Sequence, residues 1–125
     1  MKEKLLELAK TAREQAYAPY SGFKVGAALL CEDGTIYTGC NVENAAYSPT
    51  LCAERLAFGK AISEGEKDFV AIAVVGGKRD GETVRCTPCG VCRQVMAEFC
   101  KPDFLIYTEG ETYTLEDLLP EGFSL

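Results

Sequence analysis

Histidine is absent from this 125-residue chain. Since histidine is the commonest metal ligand in proteins and a frequent general base, a metal site here has to be built from other side chains. The chain also has no run of apolar residues long enough to span a membrane. Its opening residues, MKEKLLELAKTAREQA, lack the apolar stretch of a signal peptide and have the pattern of an amphipathic helix. We therefore predict a soluble cytoplasmic protein that has no membrane partner.

Clusters of basic side chains are missing as well. The 13 lysine and arginine residues are scattered along the chain, and the net charge is −6. A protein that binds nucleic acid needs a basic face to neutralise phosphates, so we expect no nucleic-acid partner. Cysteine, in contrast, occurs seven times. Because disulfides are uncommon in the cytosol, a metal site or a reactive thiol is the better explanation for some of these cysteines.

Helical and strand patterns alternate along the chain, which indicates one α/β domain over residues 1–125. The Asp33-Gly34 pair is a strong hairpin signal, and this hairpin would make the central sheet mixed. Residues 78–88 have the composition of a polar loop. The predicted helices span residues 2–16, 51–65 and 89–101, and the predicted strands flank Asp33-Gly34 and cover residues 69–77 and 103–109. A short strand, a helical turn and a tail are expected after residue 111.

Three cysteines follow one another at intervals of three residues in VRCTPCGVCRQVM: Cys86, Cys89 and Cys92. Cys89 follows a proline and opens a predicted helix, and Cys52 opens another helix after a proline-containing loop. Helix N-termini present unpaired N–H groups and partial positive charge, which lowers the pKa of a thiol. Two such ends can hold the thiolates of Cys52, Cys89 and Cys92 around one cation. Cys86 lies in the loop before Pro88, and we expect that it is not a ligand.

Glu54 makes this site look catalytic. A structural zinc site is normally closed by four protein ligands, whereas a catalytic site has three ligands and a water. Glu54 lies two residues after Cys52, in the same predicted helical turn. Zinc deaminases combine a three-ligand zinc with a glutamate that is not a ligand, in the signature H-x-E…P-C-x-x-C. In this chain Cys52-Ala53-Glu54 occupies the place of H-x-E, and Pro88-Cys89-x-x-Cys92 completes the signature.

The sequence resembles the small cytidine deaminases of pyrimidine nucleoside salvage. The segments PYSGFKVGAAL, GCNVENAAYS, CAERLA, PCGVCRQV and LLPEGF carry the likeness over nearly the whole chain. The resemblance implies a three-layer α/β/α sandwich with a mixed five-stranded sheet, one zinc ion per chain, and a homotetramer with shared active sites. It also implies hydrolytic deamination of cytidine and 2′-deoxycytidine to uridine and 2′-deoxyuridine with release of ammonia.

The resemblance further implies roles for side chains around the cytosine base. Zinc would activate water for attack on C4, and Glu54 would carry protons between that water, N3 and the leaving ammonia. Arg55 would donate to the thiolate sulfurs and offset their charge. Phe23 would pack on the pyrimidine ring. The backbone N–H of Ala53 and the carbonyl of Thr87 would bind the O2 atom and the exocyclic amine of the base.

Other residues are expected to bind the sugar or to support the site. Asn41 and Glu43 are separated by one residue at the end of a predicted strand and therefore project to the same face. The resemblance implies that they hold ribose hydroxyls, and a carboxylate there favours a nucleoside over a phosphorylated sugar. Phe123 would reach the base bound by a neighbouring subunit. Tyr47 and Gln94 are expected to lie behind the residues that touch the substrate.

Three other functions remain open at this point. A deaminase of a cytosine-bearing antibiotic would share Cys-Ala-Glu, but NVENAAY favours cytidine. A deoxycytidylate deaminase would need a phosphate site, and no basic cluster flanks the motifs. A structural zinc module predicts a fourth protein ligand, for which Cys86 is the candidate, and gives Glu54 no role.

Overall fold

The computed structural model describes residues 1–125, which form four helices and six strands. In chain order they are α1 (Lys2–Arg13), β1 (Phe23–Cys31), β2 (Ile36–Cys40), α2 (Ala53–Ser63), β3 (Phe69–Lys78), β4 (Thr83–Val84), α3 (Gly90–Phe99), β5 (Leu105–Tyr107), β6 (Thr112–Thr114) and α4 (Leu115–Leu118). None of the helices has both the length and the apolar composition that crossing a membrane requires.

The strands form one mixed sheet in the order β2-β1-β3-β5-β6, and β4 pairs with the end of β3. β1 is antiparallel to both of its neighbours, whereas β5 is parallel to β3 and antiparallel to β6. The prediction of a loop over residues 78–88 was wrong at β4, whose two residues pair with Gly76 and Gly77. A strand of two residues is too short to carry an alternating hydrophobic pattern, so periodicity does not reveal it.

Successive side chains of β1 and β3 point to opposite faces of the sheet, and each face is covered by helices. On one face Leu29 and Ile72 belong to a core that includes Phe58 of α2 and Met96 of α3. The other face is lined mostly by small residues of β1 and β3, on which Leu5 and Ala9 of α1 pack. The expected three-layer α/β/α sandwich around a mixed sheet is therefore confirmed.

The first helix ends three residues earlier than the pattern predicts, at Arg13. The chain turns there because Tyr17 pairs with the segment that follows β2. The backbone N–H of Tyr17 donates to the carbonyl of Asn41 at 2.9 Å, and the N–H of Glu43 donates to the carbonyl of Tyr17 at 2.8 Å. This pairing holds the loop after α1 beside the end of β2.

Gly39 in β2 sets the distance between the sheet and the start of α2. A Cβ atom at this position would lie 2.4 Å from the carbonyl oxygen of Ala53 and 2.8 Å from the backbone nitrogen of Ala57. Any larger residue would collide with the helix backbone. The close approach places the N-terminal turn of α2, with Cys52 and Glu54, directly against the sheet.

Candidate active site

Three cysteine thiols meet where the N-terminal ends of α2 and α3 converge. Cys52 is the N-cap of α2, Cys89 is the N-cap of α3, and Cys92 lies in the first turn of α3. The Sγ atoms of Cys52 and Cys89 are 3.7 Å apart, and the Sγ atoms of all three cysteines lie within 4.8 Å of one another. Cys92 is buried and Cys89 is exposed, so the cluster faces solvent on one side.

This donor set fits a catalytic zinc ion. Sulfur ligands at 2.3 Å around a tetrahedral zinc lie about 3.8 Å apart, close to the separation between the thiols of Cys52 and Cys89. No histidine, further cysteine or carboxylate joins the three thiols as a fourth ligand. A structural zinc site would require such a ligand, and the arrangement instead leaves one position for water.

Cys86 lies outside the thiol cluster and packs against β3. A Cβ atom at Gly76 would lie 2.8 Å from the Cys86 sulfur and 2.9 Å from the ring of Phe23. Burial, with a smaller contribution from the charge of Glu54, raises the pKa of the Cys86 thiol to about 11. Its sulfur is not among the three that lie within 4.8 Å of one another. The alternative of a closed structural zinc site therefore finds no support in the position of Cys86.

The charge of the thiol cluster is partly offset by Arg55. Its Nη2 donates to Cys52 Sγ at 3.6 Å and to the carbonyl of Thr50 at 2.9 Å. Hydrogen bonds from Cys92, then from Arg55 and Cys89, lower the pKa of the Cys52 thiol to about 5, although burial opposes this change. A cysteine that is already ionised at neutral pH binds a metal ion without first losing a proton.

Glu54 is buried in the first turn of α2, next to the thiol cluster. The residue is 5% exposed. Its burial raises the pKa of the carboxyl to about 7, and the charge of Cys52 acts in the same direction. A zinc ion on the neighbouring thiols would pull this pKa down. The carboxyl is fixed by its helix and shielded from bulk water, as a group that transfers protons within a closed site must be.

Asn41 holds the start of β1 in place. Its Oδ1 accepts from the backbone N–H of Val25 at 2.8 Å, and its Nδ2 donates to the carbonyl of Phe23 at 2.8 Å. Asn41 is 9% exposed. A terminal amide has two donor hydrogens and two lone pairs, so one of each remains for a further partner. The side chain expected to bind substrate therefore also fixes the backbone of Phe23.

Glu43 holds the loop that precedes Phe23. Its Oε1 accepts from the backbone N–H groups of Tyr20 at 3.0 Å and Ser21 at 3.1 Å, and its Oε2 accepts from the Ser21 hydroxyl. The hydrogen bond from the Ser21 side chain is the main cause that lowers the pKa of Glu43. The carboxylate lines a shallow pocket of about 410 Å³, whose walls are Tyr20, Ser21, Glu43, Asn44, Tyr47 and Thr50.

The loop before Cys89 is secured by Arg93, a residue that the sequence analysis missed. Its Nε donates to the carbonyl of Pro88 at 2.7 Å, and its Nη2 donates to the Thr87 hydroxyl at 3.2 Å. Thr87 and Pro88 thus keep a defined position beside the thiol cluster, while Ala53 is fully buried behind it. The only signal in the sequence was the position of Arg93 immediately after Cys92.

Three predicted residues form no hydrogen bond with the clustered cysteines within one chain. Tyr47 is 77% exposed and adopts a left-handed φ of 62° in its loop. Gln94 binds the backbone of Phe123 through both ends of its amide, at 2.9 and 3.3 Å. Phe123 lies in a groove with Ala97 and Cys100, beside the second half of α3.

Comparisons with known proteins agree with this geometry. A family model described as the cytidine and deoxycytidylate deaminase zinc-binding region matches residues 1–108. The chain belongs to this family. A cytidine deaminase of Sporosarcina psychrophila is 57% identical, over 98% of this chain and 90% of its own length. A cytidine deaminase of Halalkalibacterium halodurans is 49% identical, over 98% of this chain and 94% of its own length. The crystal structure of cytidine deaminase from Burkholderia pseudomallei has a TM-score of 0.88 at 47% identity, covering 98% of this chain and 99% of that chain.

Membership in this family identifies the protein as a zinc-dependent deaminase, which is a hydrolase. The zinc-binding region of this family agrees with the ligands that the structure offers. The only group of three cysteine thiols within ligating distance lies at the N-terminal ends of α2 and α3. The second group of potential ligands, Cys31, Asp33 and Glu66, contains one thiol and lies at the β1–β2 turn.

Proposed function

We propose that this deaminase converts cytidine and 2′-deoxycytidine, with water, to uridine and 2′-deoxyuridine plus ammonia, as in pyrimidine salvage. One zinc ion per chain would be held by Cys52, Cys89 and Cys92. The observation that carries the proposal is a buried carboxyl, Glu54, beside three thiols that have no fourth protein ligand. The relatives named cytidine deaminases, which align over almost the whole chain, support the choice of substrate.

Zinc, when bound, supplies the Lewis acidity that makes a water molecule nucleophilic near neutral pH. Three thiolates and one dication carry a net charge of −1, and groups of the chain offset this negative charge. The N-terminal ends of α2 and α3 carry partial positive charge and point at the cluster through Cys52 and Cys89. Arg55 adds a full positive charge, hydrogen-bonded to Cys52.

Glu54 moves the protons. In the proposed reaction it takes a proton from the attacking water and delivers it to N3 of the cytosine ring. It then takes the proton of the hydroxyl that has been added to C4 and gives it to the amine, which departs as ammonia. Each transfer needs the same carboxyl within hydrogen-bond reach of successive positions on one ring. The fixed position of Glu54 in the first turn of α2 and its burial support this role.

The base and the sugar are assigned to different parts of the pocket wall. Phe23 packs on the pyrimidine ring, the N–H of Ala53 binds O2, and the carbonyl of Thr87 accepts from the exocyclic amine. Asn41 and Glu43 bind the sugar hydroxyls. Asn41 uses the amide donor and the lone pair that its bonds to β1 leave unused, and Glu43 uses its remaining lone pair. The ionised carboxylate of Glu43 accepts from a hydroxyl and repels a phosphate, which favours a nucleoside.

We also propose that residues 1–125 form one domain that assembles as a homotetramer with shared active sites. Phe123 is 69% exposed, and none of the three clustered cysteines of its own chain lines the grooves in which it lies. In the tetramer Phe123 would complete the site of a neighbouring subunit, and Gln94 would hold the tail in position for this. Tyr47, exposed on its loop, is a second candidate for contact between subunits.

A deamination assay tests the proposed function. The loss of cytidine absorbance in the ultraviolet is followed with the zinc-loaded protein, and cytidine 5′-monophosphate serves as the matched substrate. We expect the kcat/KM for the 5′-phosphate to be roughly 100-fold lower, since like charges in one site cost several kcal/mol. Glu54→Gln should keep its zinc and its fold but lose about 10⁴-fold in kcat. Equal turnover of both substrates, or a Glu54→Gln variant with a tenth of normal activity, would contradict the proposal.

A further inference from the structure

We propose that Ser21 is a positioning residue for sugar recognition, and that it acts by orienting the Oε2 atom of Glu43, which keeps one unused acceptor position, toward a sugar hydroxyl. The inference rests on the proposed function, because it takes Glu43 as a group that accepts a hydrogen bond from the sugar. Ser21 lies in the loop between α1 and β1. Its side chain is the only one that donates a hydrogen bond to Glu43.

The partners of the Ser21 hydroxyl determine which hydrogen bond it accepts and which it donates. The backbone N–H of Phe23 donates to Ser21 Oγ at 3.0 Å, and Ser21 Oγ lies in hydrogen-bond contact with Glu43 Oε2. A backbone N–H can only donate and an ionised carboxylate can only accept. The hydroxyl proton must therefore point at Glu43, and rotation of the hydroxyl would break one of the two bonds.

The count of lone pairs on Glu43 shows which oxygen is left for a ligand. A carboxylate offers about four acceptor positions, two on each oxygen. Oε1 already accepts from two backbone N–H groups, those of Tyr20 and Ser21, whereas Oε2 accepts only from the Ser21 hydroxyl. One acceptor position remains, and it lies on the oxygen that Ser21 holds. The orientation of this position is thus set by the Ser21 hydroxyl.

The location of this pair agrees with a role in binding. Ser21 and Glu43 line the pocket of about 410 Å³ that Thr50 also lines. The carbonyl of Thr50 accepts from Arg55, which in turn donates to the sulfur of Cys52. The pocket is therefore linked to the thiol cluster through Thr50 and Arg55, and we assign to it the sugar of a nucleoside whose base reaches the zinc site.

Ser21→Ala tests the inference, with cytidine and 2′,3′-dideoxycytidine as paired substrates. The variant loses the bond to Oε2 and the acceptor for the backbone N–H of Phe23. It keeps both backbone bonds to Oε1, so the loop should remain folded. We expect the KM for cytidine to rise about tenfold, which corresponds to ~1.4 kcal/mol, while kcat changes by less than about twofold. The KM for dideoxycytidine should change by less than about twofold, because its sugar offers Glu43 no ring hydroxyl.

Two further variants serve as controls. Ser21→Thr restores a hydroxyl and should restore the KM for cytidine. Ser63→Ala removes a hydroxyl that donates to the carbonyl of Lys60 in the last turn of α2, and it should leave both KM values unchanged. Zinc content and thermal midpoint are measured for each variant, so that a loss of fold is recognised.

The outcomes that would overturn the inference are distinct from a failure of the proposed function. An unchanged KM for cytidine in Ser21→Ala, or an equal rise for both substrates, would show that Ser21 does not act through Glu43. Glu43→Gln in the same assay distinguishes the role of Glu43 from that of Ser21. If Glu43→Gln raises the KM for cytidine but not for dideoxycytidine, and Ser21→Ala changes neither, then only the role of Ser21 is refuted. If the unmodified enzyme does not deaminate cytidine, the proposed function itself falls.

Discussion

Replacing Asn41 with alanine should destabilise the fold, apart from any effect on substrate. The side chain makes two hydrogen bonds of 2.8 Å to the backbone of β1, with Val25 and Phe23 as partners. Asn41→Ala would leave a backbone N–H and a backbone carbonyl without partners in a half-buried position. Each unsatisfied group costs about 1–3 kcal/mol. Partial access to water favours the lower half of that range, so we expect a total loss of about 2–4 kcal/mol.

Thermal or urea unfolding of the zinc-loaded protein measures this loss. At roughly 4 °C per kcal/mol for a chain of this size, the midpoint should fall by about 8–16 °C. Asn44→Ala is the matched control, because the Asn44 side chain accepts from the N–H of Ala46 within an exposed loop. We expect the control to shift the midpoint by less than about 3 °C, in keeping with surface substitutions generally.

Asn41→Asp separates the structural role from substrate binding. The aspartate keeps an acceptor for the N–H of Val25 but turns an oxygen toward the carbonyl of Phe23, where the amide donated. The structural account predicts that this variant is also destabilised, despite its similar shape. If both Asn41 variants unfold within about 2 °C of the unmodified protein, the hydrogen bonds to β1 contribute no stability and the reasoning is wrong.

Two further predictions concern the metal and the tail. Alanine at any of the three clustered cysteines should reduce the zinc content, measured by elemental analysis, below one ion per chain. Cys86→Ser should keep its zinc, and loss of zinc in this variant would support a site with four protein ligands instead. Phe123→Ala should raise the KM for cytidine severalfold with unchanged zinc, since aromatic packing contributes about 0.5–1.5 kcal/mol beyond area burial. In oligomers mixed from Phe123→Ala and Glu54→Gln chains, a fraction of sites should recover the normal KM. If none does, the tail acts within its own subunit.

Much of the fold and of the zinc chemistry could be predicted from local sequence patterns. The continuous apolar segment that became β3 and the Asp33-Gly34 turn are signals carried by neighbouring residues, and both elements formed where predicted. The two cysteines expected at helix starts, Cys52 and Cys89, are N-caps in the structure. The start of a helix depends on a few adjacent residues, which is why the sequence indicated these two starts correctly.

The details of the substrate pocket were decided by tertiary structure. Sequence spacing indicated that Asn41 and Glu43 share a face, but it did not reveal that both bind the backbone between Tyr20 and Val25. Nor did it single out Ser21, whose partner lies 22 residues away along the chain. A hydrogen bond requires two groups within about 3 Å of each other. Which groups meet at that distance was decided by the pairing of Tyr17 with the end of β2, a contact between segments that are remote in sequence and carry no shared local pattern.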